Sequence, residues 1–290
     1  MNNQKRERLR SILLAMPSST LLILLGIIPL VMLVVFSFSQ TTMTVTAIQH
    51  FTLDHWIKIF TERTFLSLML KSLGIAAVVT LACILIAYPT AWGIAKVVDP
   101  NSRSTLLMFT IIPFFTSQLL LMYTIMVLLT GNGIVMSALG FLGLADPGAS
   151  ILYTVKAVVV ILIYEDFSMM ILCLYSSLEK IDTSVIEASH TLGAGRIRTF
   201  FYIVLPQSMP GLLSGIFLVF IPVAGSYAES TRAGGPTGMM IGSLINSQYT
   251  AVLNMGYGAA LSCAFLAVVA LIMAVIGRLS QRLNRVLGGE

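Results

Sequence analysis

The chain has 290 residues, 57% of them hydrophobic and 10% charged, with a mean hydropathy of +0.93, which excludes a water-soluble domain and makes it an integral membrane protein. Its 17 lysines and arginines exceed its 12 aspartates and glutamates for a net charge of +5, but these bases stand at the ends of apolar runs, where they set orientation in a bilayer rather than bind nucleic acid. Cys83, Cys173 and Cys263 lie inside apolar runs with no metal-ligand spacing to His50, His55 or His190. The chain also has no Walker phosphate loop, no Gly-x-Ser-x-Gly and no His-Glu-x-x-His, so a disulfide framework, a zinc site and a nucleotide site of its own are not indicated.

Lipid offers no partner to an unpaired backbone group, so a chain crosses the hydrocarbon core as helices of about 20 mostly apolar residues. Six runs qualify: 12–36, 72–95, a run within 104–130, 157–178, about 210–228, and 257–277. They lack the polar alternation of membrane-barrel strands. The first follows Lys5, Arg6, Arg8 and Arg10, yet it exceeds the roughly 15-residue limit of a signal h-region and reads as a retained helix. Segment 39–66, with Trp56 and the stretch from His50 to His55, predicts a short amphipathic helix at the interface. With the N-terminus in the cytoplasm, Lys96, Arg103, Lys180, Arg196, Arg198, Arg278, Arg282 and Arg285 join the four N-terminal bases inside, against Lys58, Arg63, Lys71, Lys156 and Arg232 outside. That excess predicts an even number of spans and both termini in the cytoplasm.

Within the fourth run, Glu165 and Asp166 are adjacent. An acidic residue near a helix centre costs about 2.5–3.5 kcal/mol on insertion scales, so the pair must face protein, water or substrate. Three readings stand side by side: attraction of a positively charged substrate group, pairing with a base on a partner subunit, or a carboxyl kept protonated and hydrogen-bonded.

The inside loop 179–207 is longer than two antiparallel helices need. Asp182 or Ser184 can cap a helix, Ser184 with Glu187 has capping-box spacing, and Val185, Ala188 and Leu192 fall on one face. Gly193 suits a left-handed closing position, Gly195 relaxes the turn, and Arg196 begins a second segment that Pro206 should stop. In the fifth run, Pro222, Gly225 and the sequence Ser226-Tyr227-Ala228-Glu229 predict a broken backbone, followed by the glycine-rich stretch 233–247. Gly211-x-x-x-Gly215 matches a close-packing motif whose spacing arises often by chance in membrane helices. The sixteen methionines read as packing, His190 as a surface residue and Lys156 as an interfacial cation.

Glu187-Ala188-Ser189, then Gly193, then Ile203-Val204-Leu205-Pro206 resembles the Glu-Ala-Ala loop of binding-protein-dependent ABC importer permeases, with Ser189 replacing the second alanine. Tyr88-Pro89-Thr90-Ala91-Trp92, Asn132-Gly133, Tyr175-Ser176-Ser177-Leu178-Glu179, Phe220-Ile221-Pro222, Gly234-Gly235-Pro236 and Met240-Ile241-Gly242 are similar to the spermidine/putrescine-type permeases. The resemblance covers most of the chain from the second run onward. It implies a single all-α permease domain with six transmembrane helices and a type I importer (MetI-like) fold, in which the first helix is peripheral and the core spans about 67–280.

It also implies a coupling helix docked on a cytoplasmic ATPase subunit: Ala188, Ser189 and Gly193 permit close approach, Leu192 adds apolar contact, Glu187 faces a base on the partner, and Arg196 follows. Pro222, Gly225 and Tyr227 fall where such permeases line their path. The acid usual after the glycine is Ser226 here, the nearest carboxylate is Glu229, and the region Ser117-Gln118-Leu119-Leu120-Leu121 lacks an arginine often present there.

The resemblance implies no cofactor in this chain; ATP and magnesium belong to two ATPase subunits. A second permease, copy or similar chain, completes the path in a bacterial inner membrane, and a solute-binding protein delivers cargo from outside. The cargo it implies is a polyamine-class cation, with an opine, an amino-acid derivative or another organic amine as alternative. Rival readings are an ion-coupled secondary transporter using Glu165 and Asp166, and a pore or membrane scaffold.

Overall fold

The computed structural model describes residues 23–40, 50–143 and 148–287, with Met16, Thr20, Leu21 and Asp146, but not the side chains of 281–287. Most of the first run before Ile23, with Lys5, Arg6, Arg8 and Arg10, lies outside the described residues, as do 41–49 and the side chains of Arg282 and Arg285. Two compact units emerge, residues 1–66 with 245–267 and residues 67–244 with 268–290.

In the first unit, a π-helical turn Ile23–Ile27 leads into helix α1, Ile28–Ser37, and helix α2 is Asp54–Thr61. Phe38 stacks on Phe51 and Trp56 at 5.3 and 5.7 Å, and Ser39 and Phe51 form an antiparallel bridge. Helix α2 buries Ile59 and exposes Ile57 and Phe60, the amphipathic pattern expected of segment 39–66. Tyr257 donates to Glu62 at 3.2 Å, and Lys58 lies 3.6 Å from Glu62 and 4.5 Å from the Tyr257 ring centre.

The second unit is built on helix α3, Arg63–Trp92, which ends in a π-helical turn Gly93–Val97. Then come α4, Pro100–Phe115, α5, Gln118–Leu128, α6, Ile134–Phe141, and α7, Val155–Leu178. They are followed by α8, Thr183–Thr191, α9, Arg196–Thr199, a π-helical turn Phe200–Val204, α10, Leu205–Gly225, and α11, Ala228–Ala233. Helices α12, Ile241–Thr250, and α13, Met255–Leu287, complete the chain. Four helices, at Arg63–Val97, Val155–Leu178, Arg196–Gly225 and Met255–Ser280, are long and apolar enough to cross a membrane; α4 with α5 makes a fifth if the bent pair is one span.

The third run is not one straight helix. It bends by 93° between Phe115 and Gln118, because Pro113 offers no N–H to the preceding turn, and Thr116 and Ser117 then take extended ψ values of 148° and 124°. The fifth span differs too: it starts at Arg196 rather than near 210. Pro206 does not stop it, because in the π-helical turn before it the Leu205 N–H already bonds back to the Phe200 carbonyl, so the ladder has shifted register where the proline would interrupt it.

Helix α7 is central, burying Val158, Ile161, Leu162, Met170, Ile171, Leu174 and Leu178. Helix α3 buries Ala76, Val79, Cys83, Ala87 and Ala91 on one stripe, and the Cys83 thiol faces the Ile163 carbonyl at 3.9 Å. Gly211-x-x-x-Gly215 is a packing seam, not a chance spacing: a Cβ at Gly211 would collide with the Cys173 carbonyl and Ser177, and one at Gly215 with Met170. A Gly211→Leu protein is expected to lose about 1–3 kcal/mol from overpacking this seam, read as a lower melting temperature of the purified protein in detergent.

Candidate functional site

The two adjacent carboxylates of α7 point about 100° apart around the helix. Glu165 is buried, and Gln118, the first residue of α5, donates from Nε2 to its Oε2 at 3.2 Å, while Oε1 is buried without a hydrogen-bond partner. Gln118 is placed there by the break at Thr116 and Ser117. On the other side, α10 ends at Gly225, Ser226 leaves the helix, and its hydroxyl donates to the Glu229 carboxylate, with both residues buried. The break is held from behind. A Cβ at Gly242 would strike the Gly225 and Ser226 carbonyls. Ser230 accepts from the Met240 N–H and donates to the Gly238 carbonyl, each at 2.9 Å, and Ser72 accepts from the Ile241 N–H at 2.7 Å.

Two adjoining clefts result. One of about 350 Å³ is lined by Gln118, Leu119, Leu162, Asp166, Pro222, Val223, Gly225, Ser226, Tyr227, Ala228 and Glu229. The other, about 320 Å³, is lined by Pro113, Phe114, Thr116, Gln118, Leu121, Glu165, Asp166, Met169, Leu218 and Pro222. Among the described residues, their walls carry three carboxyl groups and no lysine or arginine. An ammonium group entering here supplies both the missing charge and the donor that Glu165 Oε1 lacks.

Glu165, Asp166, Pro222, Gly225, Ser226, Tyr227 and Glu229 thus line the two adjoining clefts, Glu165 in one and Gly225 to Glu229 in the other, with Asp166 and Pro222 lining both. Where the sequence departs at Ser226, the hydroxyl holds the Glu229 carboxylate. Gln118 was not singled out as a site residue; the polar triplet Thr116-Ser117-Gln118 just after Pro113, inside an apolar run, is the signal that marks it.

The loop after α7 has a different design. Asp182 is the N-cap of α8, accepting from the Ser184 N–H at 2.9 Å. The capping box is therefore not formed through Ser184, and the Glu187 carboxylate has no ion-pair partner among the described residues. The helix closes with the Gly193 N–H on the His190 carbonyl and the Ala194 N–H on the Ser189 carbonyl, both at 3.0 Å, with Gly193 at φ 82°. His190 Nδ1 lies 3.0 Å from the Ala194 carbonyl, fastening the same turn.

Ser189 is buried, its hydroxyl 2.9 Å from that of Thr199, so it joins the two halves of the loop rather than facing outward. Val185, Glu187, Ala188 and Leu192 are exposed, Leu192 at 88%. Arg196 and Gly193 are exposed as well, Arg196 at the start of α9 beside Arg198, Phe201 and Tyr202. Lys96 donates to the Glu179 and Ile181 carbonyls, tying the end of α3 to the end of α7, where a cation also complements the helix dipole.

A family profile described as binding-protein-dependent transport system inner membrane component matches residues 6–285. The spermidine/putrescine transport system permease protein PotB of Escherichia coli (strain K12) is 35% identical over 235 residues, 81% of this chain and 85% of that one. PotB of Haemophilus influenzae is 32% identical over 234 residues, 81% of each chain. Among solved structures, a bacterial ABC transporter involved in the import of the acidic polysaccharide alginate aligns with a TM-score of 0.75 over 96% of both chains, at 19% identity, a likeness of fold.

The Ser184 N–H and hydroxyl, with the Lys96 charge, hold the Asp182 carboxyl below the ordinary carboxylate range. Its cap therefore contributes fully above that range and fades as pH falls through the depressed folded value. Asp182→Ala is expected to speed amide hydrogen exchange at Ser184 and Val185 several-fold at neutral pH, with the difference from the parent vanishing in strong acid.

Proposed function

The chain belongs to the family of binding-protein-dependent transport system inner membrane components, and from that premise we propose that it carries a small cationic amino compound of the polyamine class by ATP-driven alternating access. It is the permease subunit of an ABC importer. The observation that carries the cargo class is the hollow around Gln118, Glu165, Asp166, Ser226 and Glu229, acidic and without a lining base. Identity of 35% to a spermidine/putrescine permease supports the same reading. The fold does not choose the sign of the cargo, since it is shared with an importer of an acidic polysaccharide; in this reading the lining side chains do.

In this reading both termini are cytoplasmic, a second permease faces this one across the path, and a solute-binding protein releases cargo from outside. Two ATPase subunits, holding ATP and magnesium, grip α8 from inside through Glu187, Ala188 and Leu192, with Gly193 keeping the turn tight. Ser189 and Lys96 make the loop rigid, so that movement of α8 is passed to the ends of α7 and α3 and on to the broken segments around the hollow. Closure of the ATPase dimer turns the hollow outward, and hydrolysis returns it. The chain's own residues bind and orient; no covalent step is theirs.

In proteoliposomes containing the whole complex, Glu165→Gln with Glu229→Gln is expected to cut spermidine uptake about tenfold or more, as loss of a buried charge partner does, while ATPase activity persists. Uptake unchanged by both substitutions, with the complex assembled, refutes the cation path. Glu187→Lys is expected to leave insertion intact and to separate ATP hydrolysis from uptake, measured as ATPase turnover no longer stimulated by the loaded binding protein. Uptake driven by an ion gradient in vesicles lacking the ATPase would instead assign the carboxylates to a secondary transporter.

A further inference from the structure

The start of the fifth span carries two arginines that the transport path does not use. Arg196 and Arg198 line an open basin of about 1190 Å³ together with Ile197, Phe201, Tyr202 and Leu205. Neither guanidinium is ion-paired with a carboxylate of a described residue. That of Arg198 lies over the Tyr202 ring, 5.9 Å from its centre, and Ile197, Phe201 and Tyr202 are exposed at 77%, 54% and 67%. Bases beside exposed aromatic rings, at the first turns of a helix long and apolar enough to cross a membrane, match the chemistry of the headgroup layer.

The basin shares Leu205 with a second hollow. Leu205 also lines a groove of about 430 Å³ between α3 and α10, whose walls include Leu85, Tyr88, Pro89, Trp92 and Leu212. Tyr88 spends its hydroxyl on Ser208 at 2.6 Å, leaving the groove apolar. The two hollows together present positive charge at one end and an apolar channel along two spans at the other. A soluble partner would cover the arginines but could not reach the groove between two membrane-crossing helices, which an acyl chain fits.

We propose that Arg196, Arg198 and the groove between α3 and α10 bind one anionic phospholipid, with its phosphate on the two guanidiniums and an acyl chain along Pro89, Trp92 and Leu212. Guanidinium forks suit phosphate oxygens, and the site abuts the coupling loop through Gly195, so an occupied site braces α9 where α8 meets it. The inference does not depend on the cargo, and lipid retention is read without transport, so a negative result here leaves the importer assignment intact.

The test uses the full complex in nanodiscs of equal parts phosphatidylglycerol and phosphatidylethanolamine, followed by detergent extraction and mass spectrometry of the retained lipid. The parent should retain phosphatidylglycerol in preference. Each basic residue near a membrane surface favours anionic lipid roughly fivefold, so R196Q/R198Q should lower that preference by about tenfold or more, while R196K/R198K keeps much of it. Leu212→Trp, which fills the groove, should reduce retention of both lipids with the helical circular dichroism unchanged. Equal phosphatidylglycerol preference in R196Q/R198Q overturns the proposal. So does a photo-crosslinker at Ile197 that labels the ATPase or the second permease instead of lipid.

Discussion

Hydrocarbon cannot hydrogen-bond to a peptide group or solvate a carboxylate, and every irregular feature of this chain is arranged around that prohibition. The backbone breaks after Phe115 and after Gly225, in otherwise apolar runs, and both breaks lie against the central helix α7 at the clefts that hold its acids. The polar groups freed by one irregularity become partners for another. Gln118, exposed by the first break, serves Glu165; Ser226, exposed by the second, serves Glu229.

That arrangement needs a rigid support, and the α7–α10 seam provides it. Gly211 lets α10 approach α7 so closely that a methyl group there would strike the Cys173 carbonyl, while Gly215 sits against the Met170 thioether. Close packing is the main source of helix association in lipid, where burial of apolar surface gives little advantage. The segment after the break is pinned by Ser230, Ser72 and Gly242 rather than by apolar contact alone.

The loop after α7 follows the same economy of contacts. Its inward residues, Ser189 and Thr199, join its two halves, while Glu187, Ala188 and Leu192 are exposed. Lys96 links it to α3 through carbonyl oxygens at the end of α7. The loop is therefore tied to two spans, one of which carries Glu165 and Asp166.

The amino-acid sequence by itself determined the membrane class, the second, fourth and sixth apolar runs, the glycine-closed helix after the fourth run and the break near Gly225. Each of these rests on local chemistry: hydropathy, the left-handed preference at Gly193, and the missing donor of proline. The tertiary structure alone decided the rest. The helix that begins at Arg196 passes Pro206 because a π-helical turn shifts its ladder, which no local propensity announces. Ser189 turns inward because Thr199 waits there. Gln118 becomes a site residue because a 93° bend carries it to Glu165, and Gly211 and Gly215 become a seam because α7 is their neighbour. The deciding feature is a local shift of backbone register at Pro206 and a partner on another element in the other cases, which the glycine spacing and the polar triplet ending at Gln118 mark in the chain but do not place in space.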